Sequence, residues 1–376
     1  MTTAAPSAPA PAGCPFTSEF LPPNMRKHVD PAAPVPLRMM AAKALVPLNP
    51  SDMLGALFML TFDAEQGVRD AAIKTATGLT DKILGSALRD EGVQAPVLGW
   101  FLGLLKANDA YSEMLVLNAT TPDEAVADVA TGCSTKVAEI IGQNQLRLLR
   151  HDDIIRKLCT NPNASQALLD SVCDFAVRSG LTLADVPQMQ AARVRLFGPQ
   201  AVQAPPDPGP TADQVLQDFQ EVKEEGAPPM EEGKRLNLTQ RIMKMSIAEK
   251  IKLATLGNKE ARGLLLRDSN KLVCTAVIRS PRITDGEVLA CATNRAANEE
   301  VLRIIYGNRE WTKNQKIKLA LVKNPKTPLT VVTKFLNTLR DAELKDLARD
   351  RNVPSGVAMF AKKLVEKKTA PKKEEK

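Results

Sequence analysis

The stretch EKIKLATLGNKEARGLLL at residues 249–266 recurs 66 residues later as QKIKLALVKNPKTPLTVV at residues 315–332. In both copies Ile and Leu return every three to four positions with lysines between them, which is typical of an amphipathic helix. A short turn containing Asn follows, and a second apolar segment comes after the turn. The two copies therefore predict a helix–turn–helix unit that is used more than once.

Variants of this unit run through most of the chain. Asn tolerates the left-handed conformation that ends many helices, and Pro near a first turn begins the next helix without losing a needed donor. Each helix pair has too little apolar surface to fold alone and must stack on its neighbours. The prediction is an all-α fold built as a degenerate repeat array, with irregular spacings of about 22 to 44 residues. The further copies are LVPLNPSDMLGALF (45–58), LVLNATTPDEAVADV (115–129), LCTNPNASQALLDSV (158–172), LVCTAVIRSPRITDGEVLA (272–290) and LARDRNVPSGVAMFA (347–361).

Two stretches, LALVKNPKTPLTVVTKFL (319–336) and LARDRNVPSGVAMFAKKL (347–364), resemble the HEAT-like and leucine-rich repeat variant families of α-solenoids. The resemblance rests on the Asn-Pro-x-Thr-Pro turn and the apolar helix after it, is weaker across 37–198, and implies an α-solenoid fold. The variant repeat family is associated with a cysteine cluster that holds iron and sulfur. No such cluster occurs here, so the fold is carried over without a cofactor. The cysteines lie far apart, at Cys14, Cys133, Cys159, Cys173, Cys274 and Cys291.

The distribution of prolines and of charged residues divides the chain into segments. Nine of the 27 prolines fall in residues 1–36, which predicts an extended, disordered leader. A Pro-rich acidic linker at 199–234, with a short amphipathic helix near 211–222, separates an N-terminal helical block (37–198) from a C-terminal block (235–365), and a charged tail follows at 366–376. Residues 1–200 hold 17 Lys and Arg against 20 Asp and Glu, whereas residues 234–376 hold 32 against 15. Such asymmetry indicates a partner for the basic half.

Enzymatic function is not expected from this sequence. Neither a nucleophile motif, a Walker A loop nor a metal-ligand spacing occurs in a supporting context, so no catalytic residue, metal or cofactor is predicted. His151 precedes Asp152 and Asp153, but HDD before an apolar run is typical of a helix N-terminus. Cys159 and Cys173, 14 residues apart without a CxxC motif, are interpreted as core thiols.

The opening MTTAAPSAPAPAGCPF has no basic or apolar region of a signal peptide, and the longest apolar runs are too short to span a bilayer. The thiols are expected to be reduced, and the cytoplasm is the expected location.

The candidate binding residues lie in the basic half. Arg279 and Arg282 bracket the Ser280-Pro281 turn, and Arg309, Lys313 and Lys316 surround Trp311, with Lys323 and Lys326 at the next turn. Turns of a solenoid line up along an edge, so these cations are expected to form one ridge. Arginine offers forked donors to carboxylate or phosphate, and Trp311 offers a face for stacking. The competing interpretation is a solvated basic surface with Trp311 packed against the next helix.

The favoured hypothesis is a non-enzymatic scaffold that binds an acidic protein partner through Arg279, Arg282, Arg309, Trp311, Lys313 and Lys316. The alternative is a nucleic-acid-binding protein that contacts the phosphate backbone with the same surface. A third interpretation has the acidic segment 221–232 folding back to mask the basic block, against independent solvation of both. Oligomeric state and the identity of the partner stay open.

Overall fold

The computed structural model describes residues 13–202, 209–220, 232–350 and 352–369. Every regular element within these ranges is a helix, so the prediction of an all-α fold is confirmed for them. The chain divides into two compact units, the first comprising residues 1–177 and 182–202 and the second residues 178–181 and 203–376.

The first unit contains twelve α-helices among its described residues, preceded by two short 3-10 helices, Ser18–Phe20 and Arg26–His28, and followed by a third, Pro199–Val202. Its helices are α1 (Val35–Ala42), α2 (Pro50–Leu60), α3 (Gln66–Thr77), α4 (Asp81–Ala87), α5 (Ala95–Leu105), α6 (Asp109–Leu117), α7 (Asp123–Ala130), α8 (Thr135–Gln143), α9 (Gln145–Arg150), α10 (Asp153–Cys159), α11 (Gln166–Arg178) and α12 (Pro187–Phe197).

The second unit contains twelve more described helices, and its helices stack so that α15, α17 and α19 follow one another while α18 packs on α21. They are α13 (Ala212–Gln220), α14 (Glu232–Lys244), α15 (Ile247–Leu256), α16 (Lys259–Leu265), α17 (Lys271–Ile278), α18 (Asp285–Thr293), α19 (Glu299–Gly307), α20 (Arg309–Lys313), α21 (Gln315–Lys323), α22 (Leu329–Leu336), α23 (Asp341–Arg349) and α24 (Ser355–Thr369).

Two Pro-rich segments differ from their expected conformation. Residues 13–34 were expected to be extended and disordered, but they carry two 3-10 helices and bury Leu21, Met25 and Val29. The apolar side chains between the prolines offset the cost of ordering the backbone. In the predicted linker, α13 forms as expected and packs on α15, with Val215 buried. Residues 1–12, 203–208, 221–231, 351 and 370–376 lie outside the described part of the chain.

A recurring Asn or Asp ends the helices at corresponding turns in both units. The side-chain oxygen accepts a hydrogen bond from the backbone N–H two residues on, at distances of 2.7–3.0 Å. We call these positions the turn residues. In the second unit they are 26, 30 and 26 residues apart, which is a more regular spacing than the sequence motif suggested. The turn residues are Asp63, Asp90, Asn118, Asn161, Asp268, Asn294, Asn324 and Asp350.

Three turn residues also connect neighbouring turns. The side-chain amides of Asn118, Asn161 and Asn324 are buried, and each donates to two backbone carbonyls about 30 residues earlier in the chain. The Nδ2 of Asn324, for example, lies 2.9 Å from the carbonyl oxygen of Ala292 and 3.0 Å from that of Asn294. Buried amides of this kind must be satisfied, so they define which turn stacks on which.

Where the turn residue is Asp, it cannot donate and accepts from a neighbour instead. Asp63 pairs with Arg38, Asp268 with Lys250 at 2.8 Å, and Asp350 with Lys323 at 2.9 Å. Asn and Asp thus occupy equivalent positions, but the Asn amide donates its long-range hydrogen bond whereas the Asp carboxylate accepts one.

The expectation of a left-handed Asn at these turns is wrong. Asn118, Asn294 and Asn324 have φ between −70° and −79° with ψ between 112° and 122°, and Ala44 is the one non-glycine residue of positive φ in the described ranges. The side-chain bond to the N–H two residues on holds an extended conformation, which lets Asn end one helix and lead into the next. Among the predicted turns, Pro50 begins α2, and Pro122 and Pro328 are the N-cap residues of α7 and α22.

Candidate binding surface

The turn between α17 and α18 carries the first two predicted cations. Arg279 is the residue directly after α17, and its side chain is exposed. Arg282 is also exposed, and its Nη1 donates to the carbonyl oxygen of Leu256 at 3.1 Å. This contact brings the end of α15 beside the turn that follows α17. One of the two guanidinium groups is therefore partly engaged in joining successive turns.

The second group of predicted residues lies on α20 and the start of α21. Asn308 caps α20 by accepting hydrogen bonds from the backbone N–H groups of Glu310 and Trp311, at 2.9 and 3.3 Å. This cap orients a single helical turn, from which Arg309 and Lys313 extend into solvent. The Nζ of Lys313 lies 2.6 Å from a carboxylate oxygen of Glu310, but both side chains are more than 70% exposed. Such a pair contributes little to stability and leaves the ammonium accessible.

Trp311 does not stand free in solvent. It is half-buried and packs against a core cluster that includes Ile305 and Ile317. Ile283, from the turn that carries Arg282, packs against the same cluster. The two basic turns therefore flank one hydrophobic core, and part of the indole surface is used to hold α20 in place.

Lys323 and Lys326 belong to a different group of turns. Lys323 pairs with Asp350, and the Nζ of Lys326 donates to the carbonyl oxygens of Ala296 and Ala297 at 3.2 and 2.8 Å. The turn that follows α21 is thus stacked between those that follow α18 and α23. Successive turns of a helical array alternate between its two edges, so consecutive turns do not line up as the sequence argument assumed.

Both units contain cations with and without ion partners. In the first unit, Arg147 and Arg150 both bind Asp123, and Arg156 binds Asp152 and Asp185. In the second unit, the exposed side chains of Arg279, Arg309 and Lys316 form no ion pair with any described residue. These three cations, which we call the free cations, remain available to an external anion.

An open groove of about 890 Å³ lies between α16 and α18 and was not anticipated from the sequence. Its floor includes the thiols of Cys274 and Cys291, and Lys259 and Arg267 are exposed on its lining. Gly263 and Gly286 face it from within helices where an added Cβ would meet nothing closer than 3.9 Å. Glycine within a helix is unfavourable unless close packing or function requires it. These two glycines were therefore the one feature of the sequence that indicated an open surface here.

The acidic groups of this groove are already neutralised. Arg262 binds Glu287 with two hydrogen bonds of 2.9 and 3.0 Å, and both side chains are 5% exposed. Burial raises the pKa of Glu287, but hydrogen bonds from Arg262 and Thr284 outweigh it and leave that pKa below its ordinary value. Burial raises the pKa of Cys274 and of Cys291 to about 11, so both thiols stay protonated near neutral pH.

The residues weighed for catalysis have structural partners. As predicted, HDD marks a helix N-terminus: α10 begins at Asp153 with Asp152 as its N-cap residue, but the Asp152 carboxylate pairs with Arg156 at 2.7 Å and does not cap the helix. His151 ends α9, with its backbone N–H bonded to the Arg147 carbonyl. The Sγ atoms of Cys159 and Cys173 lie 3.9 Å apart, as the spacing across a turn allowed.

Comparison with known proteins finds no matching family model, no similar curated protein and no similar solved structure. Across the described ranges, none of the helices combines the length and apolarity needed to cross a membrane. The same ranges contain no group of three or more His, Cys, Asp or Glu side chains placed to hold a metal ion.

Proposed function

We propose that this chain is a non-enzymatic cytoplasmic scaffold whose second unit binds an acidic segment of a protein partner. The observation that carries the proposal is the set of free cations, Arg279, Arg309 and Lys316, beside one hydrophobic core. When a carboxylate binds a cation without an internal partner, no ion pair within the chain has to be broken. The electrostatic attraction therefore contributes to binding without that cost. Arg282 and Lys313 are weaker candidates because each already has a contact within the chain.

We propose that each unit is a short α-solenoid block and that the segment at 199–234 connects the two blocks. The support comes from the turn residues, since all eight share one hydrogen-bond arrangement and three buried Asn amides join successive turns. An array of stacked helices presents an extended surface, which is the usual binding site of such folds. Trp311 contributes the exposed part of its indole at this surface, while its buried part supports α20.

The test uses the full chain and two probes, fluorescent poly-L-glutamate and transfer RNA, each titrated at 50 and 150 mM salt. The test variant is the triple reversal Arg279→Glu, Arg309→Glu, Lys316→Glu. The control reverses Lys74, Lys82 and Lys106, three exposed lysines of the first unit that form no ion pair with described residues. Both triples change the net charge equally, so any difference between them reports position and not total charge.

We expect poly-L-glutamate to bind at 150 mM salt, with a loss of about tenfold or more in the test variant and less than about twofold in the control. Equal losses in the two variants contradict the proposed surface, because they show attraction to net charge alone. Transfer RNA binding that is tighter than poly-L-glutamate binding at 150 mM salt contradicts the acidic-protein partner and favours phosphate recognition by the same cations.

A further inference from the structure

The turn between α10 and α11 brings two thiols together in the first unit. Cys159 is the last residue of α10 and Cys173 lies in the middle of α11, and their Sγ atoms are 3.9 Å apart. Disulfide formation requires an approach to about 2.05 Å, which rotation of the two side chains supplies when the Cβ atoms already face each other. We propose that Cys159 and Cys173 are an oxidation site, at which peroxide oxidises the two thiols to a disulfide that links α10 covalently to α11.

The two thiols differ in a way that assigns their roles. Cys159 is partly exposed, whereas Cys173 is fully buried. A hydrogen bond from Cys173 lowers the pKa of Cys159, and the same hydrogen bond with burial raises the pKa of Cys173. The thiolate is the nucleophilic form of cysteine, so the accessible Cys159 reacts first and Cys173 resolves the product.

The reaction balances with hydrogen peroxide as the oxidant. The Cys159 thiolate attacks one peroxide oxygen, an S–O bond forms, the O–O bond breaks and hydroxide leaves, which gives a sulfenic acid. The Cys173 sulfur then attacks the sulfenic sulfur, an S–S bond forms, and the sulfenic hydroxyl leaves as water with the Cys173 proton. The proton first lost by Cys159 neutralises the hydroxide. Two thiols are oxidised by two electrons, and one peroxide is reduced to two waters.

The location gives the bond a structural consequence. Asn161 lies within the loop between the two cysteines, and its buried amide joins this turn to the carbonyl oxygens of Ala130 and Cys133. A covalent link across the loop restricts the unfolded chain and holds this turn in its bonding position. The oxidised first unit is therefore more resistant to unfolding than the reduced one. This inference concerns the first unit and does not depend on the proposed function of the second.

The experiment treats the reduced full chain with hydrogen peroxide and measures intact mass, free thiols and non-reducing peptide maps. We expect a loss of about 2 Da, a fall from the six thiols of the sequence to four, and a Cys159–Cys173 cross-link. The thermal midpoint of the first unit is expected to rise by about 5 °C or more, and dithiothreitol is expected to reverse it. A retained count of six thiols, a cross-link between other cysteines or an unchanged midpoint contradicts the proposal.

Three variants separate the roles of the thiols. Cys173→Ser removes the resolving thiol, so a dimedone adduct is expected at Cys159, whereas Cys159→Ser is expected to form no adduct at Cys173. Cys14→Ser, which removes a partly exposed thiol elsewhere, is the matched control and should still form the cross-link. A dimedone adduct on Cys173 in the Cys159→Ser variant overturns the assignment of Cys159 as the attacking thiol.

Discussion

Replacing Asn324 by Asp isolates the contact that joins one turn to the next. The substitution keeps the side-chain oxygen that accepts from the backbone N–H of Lys326 at 3.0 Å. It removes the Nδ2 donor that binds the carbonyl oxygens of Ala292 and Asn294 at 2.9 and 3.0 Å. The side chain is 3% exposed, so a carboxylate there faces two carbonyl oxygens away from water.

The magnitude follows from these contacts. Two lost hydrogen bonds cost about 1 kcal/mol each, and a carboxylate buried against carbonyl oxygens adds about 1 kcal/mol or more. We therefore expect Asn324→Asp to lower the free energy of unfolding by about 3 kcal/mol near neutral pH. Burial against carbonyl oxygens raises the pKa of the new carboxyl in the folded state. The ionisation part of the penalty is therefore full above that pKa and is lost as pH falls to the unfolded-state pKa, whereas the loss of the second donor remains at every pH.

The matched control is Asn294→Asp, at the corresponding turn of the preceding repeat. Asn294 accepts from the backbone N–H of Ala296 at 2.9 Å, and its side chain is partly exposed. Because a carboxylate accepts the same bond, we expect a change of about 0.5 kcal/mol or less. The assay is urea unfolding followed by Trp311 fluorescence in a Trp100→Phe background, so that only the second unit is observed. Equal destabilisation by the two substitutions would refute the role assigned to the Asn324 amide.

Four further substitutions, in three experiments, test other contacts. Arg262→Ala leaves Glu287 buried without its guanidinium partner, and urea unfolding should show a loss of about 3 kcal/mol at pH 7. The contribution of Glu287 to the wild type is full above its ordinary pKa of 4.5 and is lost as pH falls below that value through the depressed folded-state pKa, so this difference should narrow below about pH 4.5, and a difference that does not change with pH would contradict it. Gly257→Ala directs a Cβ at the carbonyl oxygen of Leu253 and should lower the thermal midpoint, whereas Gly263→Ala adds a Cβ in open space within a helix and should raise it, with the reverse order as the contrary result. Trp311→Ala should reduce the stability of the second unit by about 2 kcal/mol in calorimetry because the indole packs on the core, and an unchanged transition would show that the indole is not needed there.

Periodicity along the chain was sufficient to predict the all-α class. Apolar residues at intervals of three to four positions define one face of a helix, and that pattern needs no knowledge of distant contacts. It also predicted α13 within the Pro-rich segment and the start of α10 at HDD. Where the prediction used composition alone it was less successful, because proline content does not show that Leu21 and Met25 become buried.

The recurring Asn was recognised in the sequence, but its conformation and its second bond were not. A single amide holds the turn through its oxygen and the neighbouring turn through its nitrogen, and the second partner lies about 30 residues away. Both residues accept the same local hydrogen bond, so that bond does not distinguish Asn324, which also makes the long-range bond, from Asn294, for which the structure shows only the local one.

The amino-acid sequence by itself predicted the all-α class of this protein, the turns within the seven copies of the helix–turn–helix unit and the concentration of positive charge in its second half. Only the tertiary structure decided which cations have internal partners, how far Trp311 is buried, where the groove between α16 and α18 opens, and that Cys159 meets Cys173. The physical reason is distance along the chain. Helix formation depends on residues within a few positions, whereas pairing, burial and thiol contact depend on side chains that stacking brings together from different repeats.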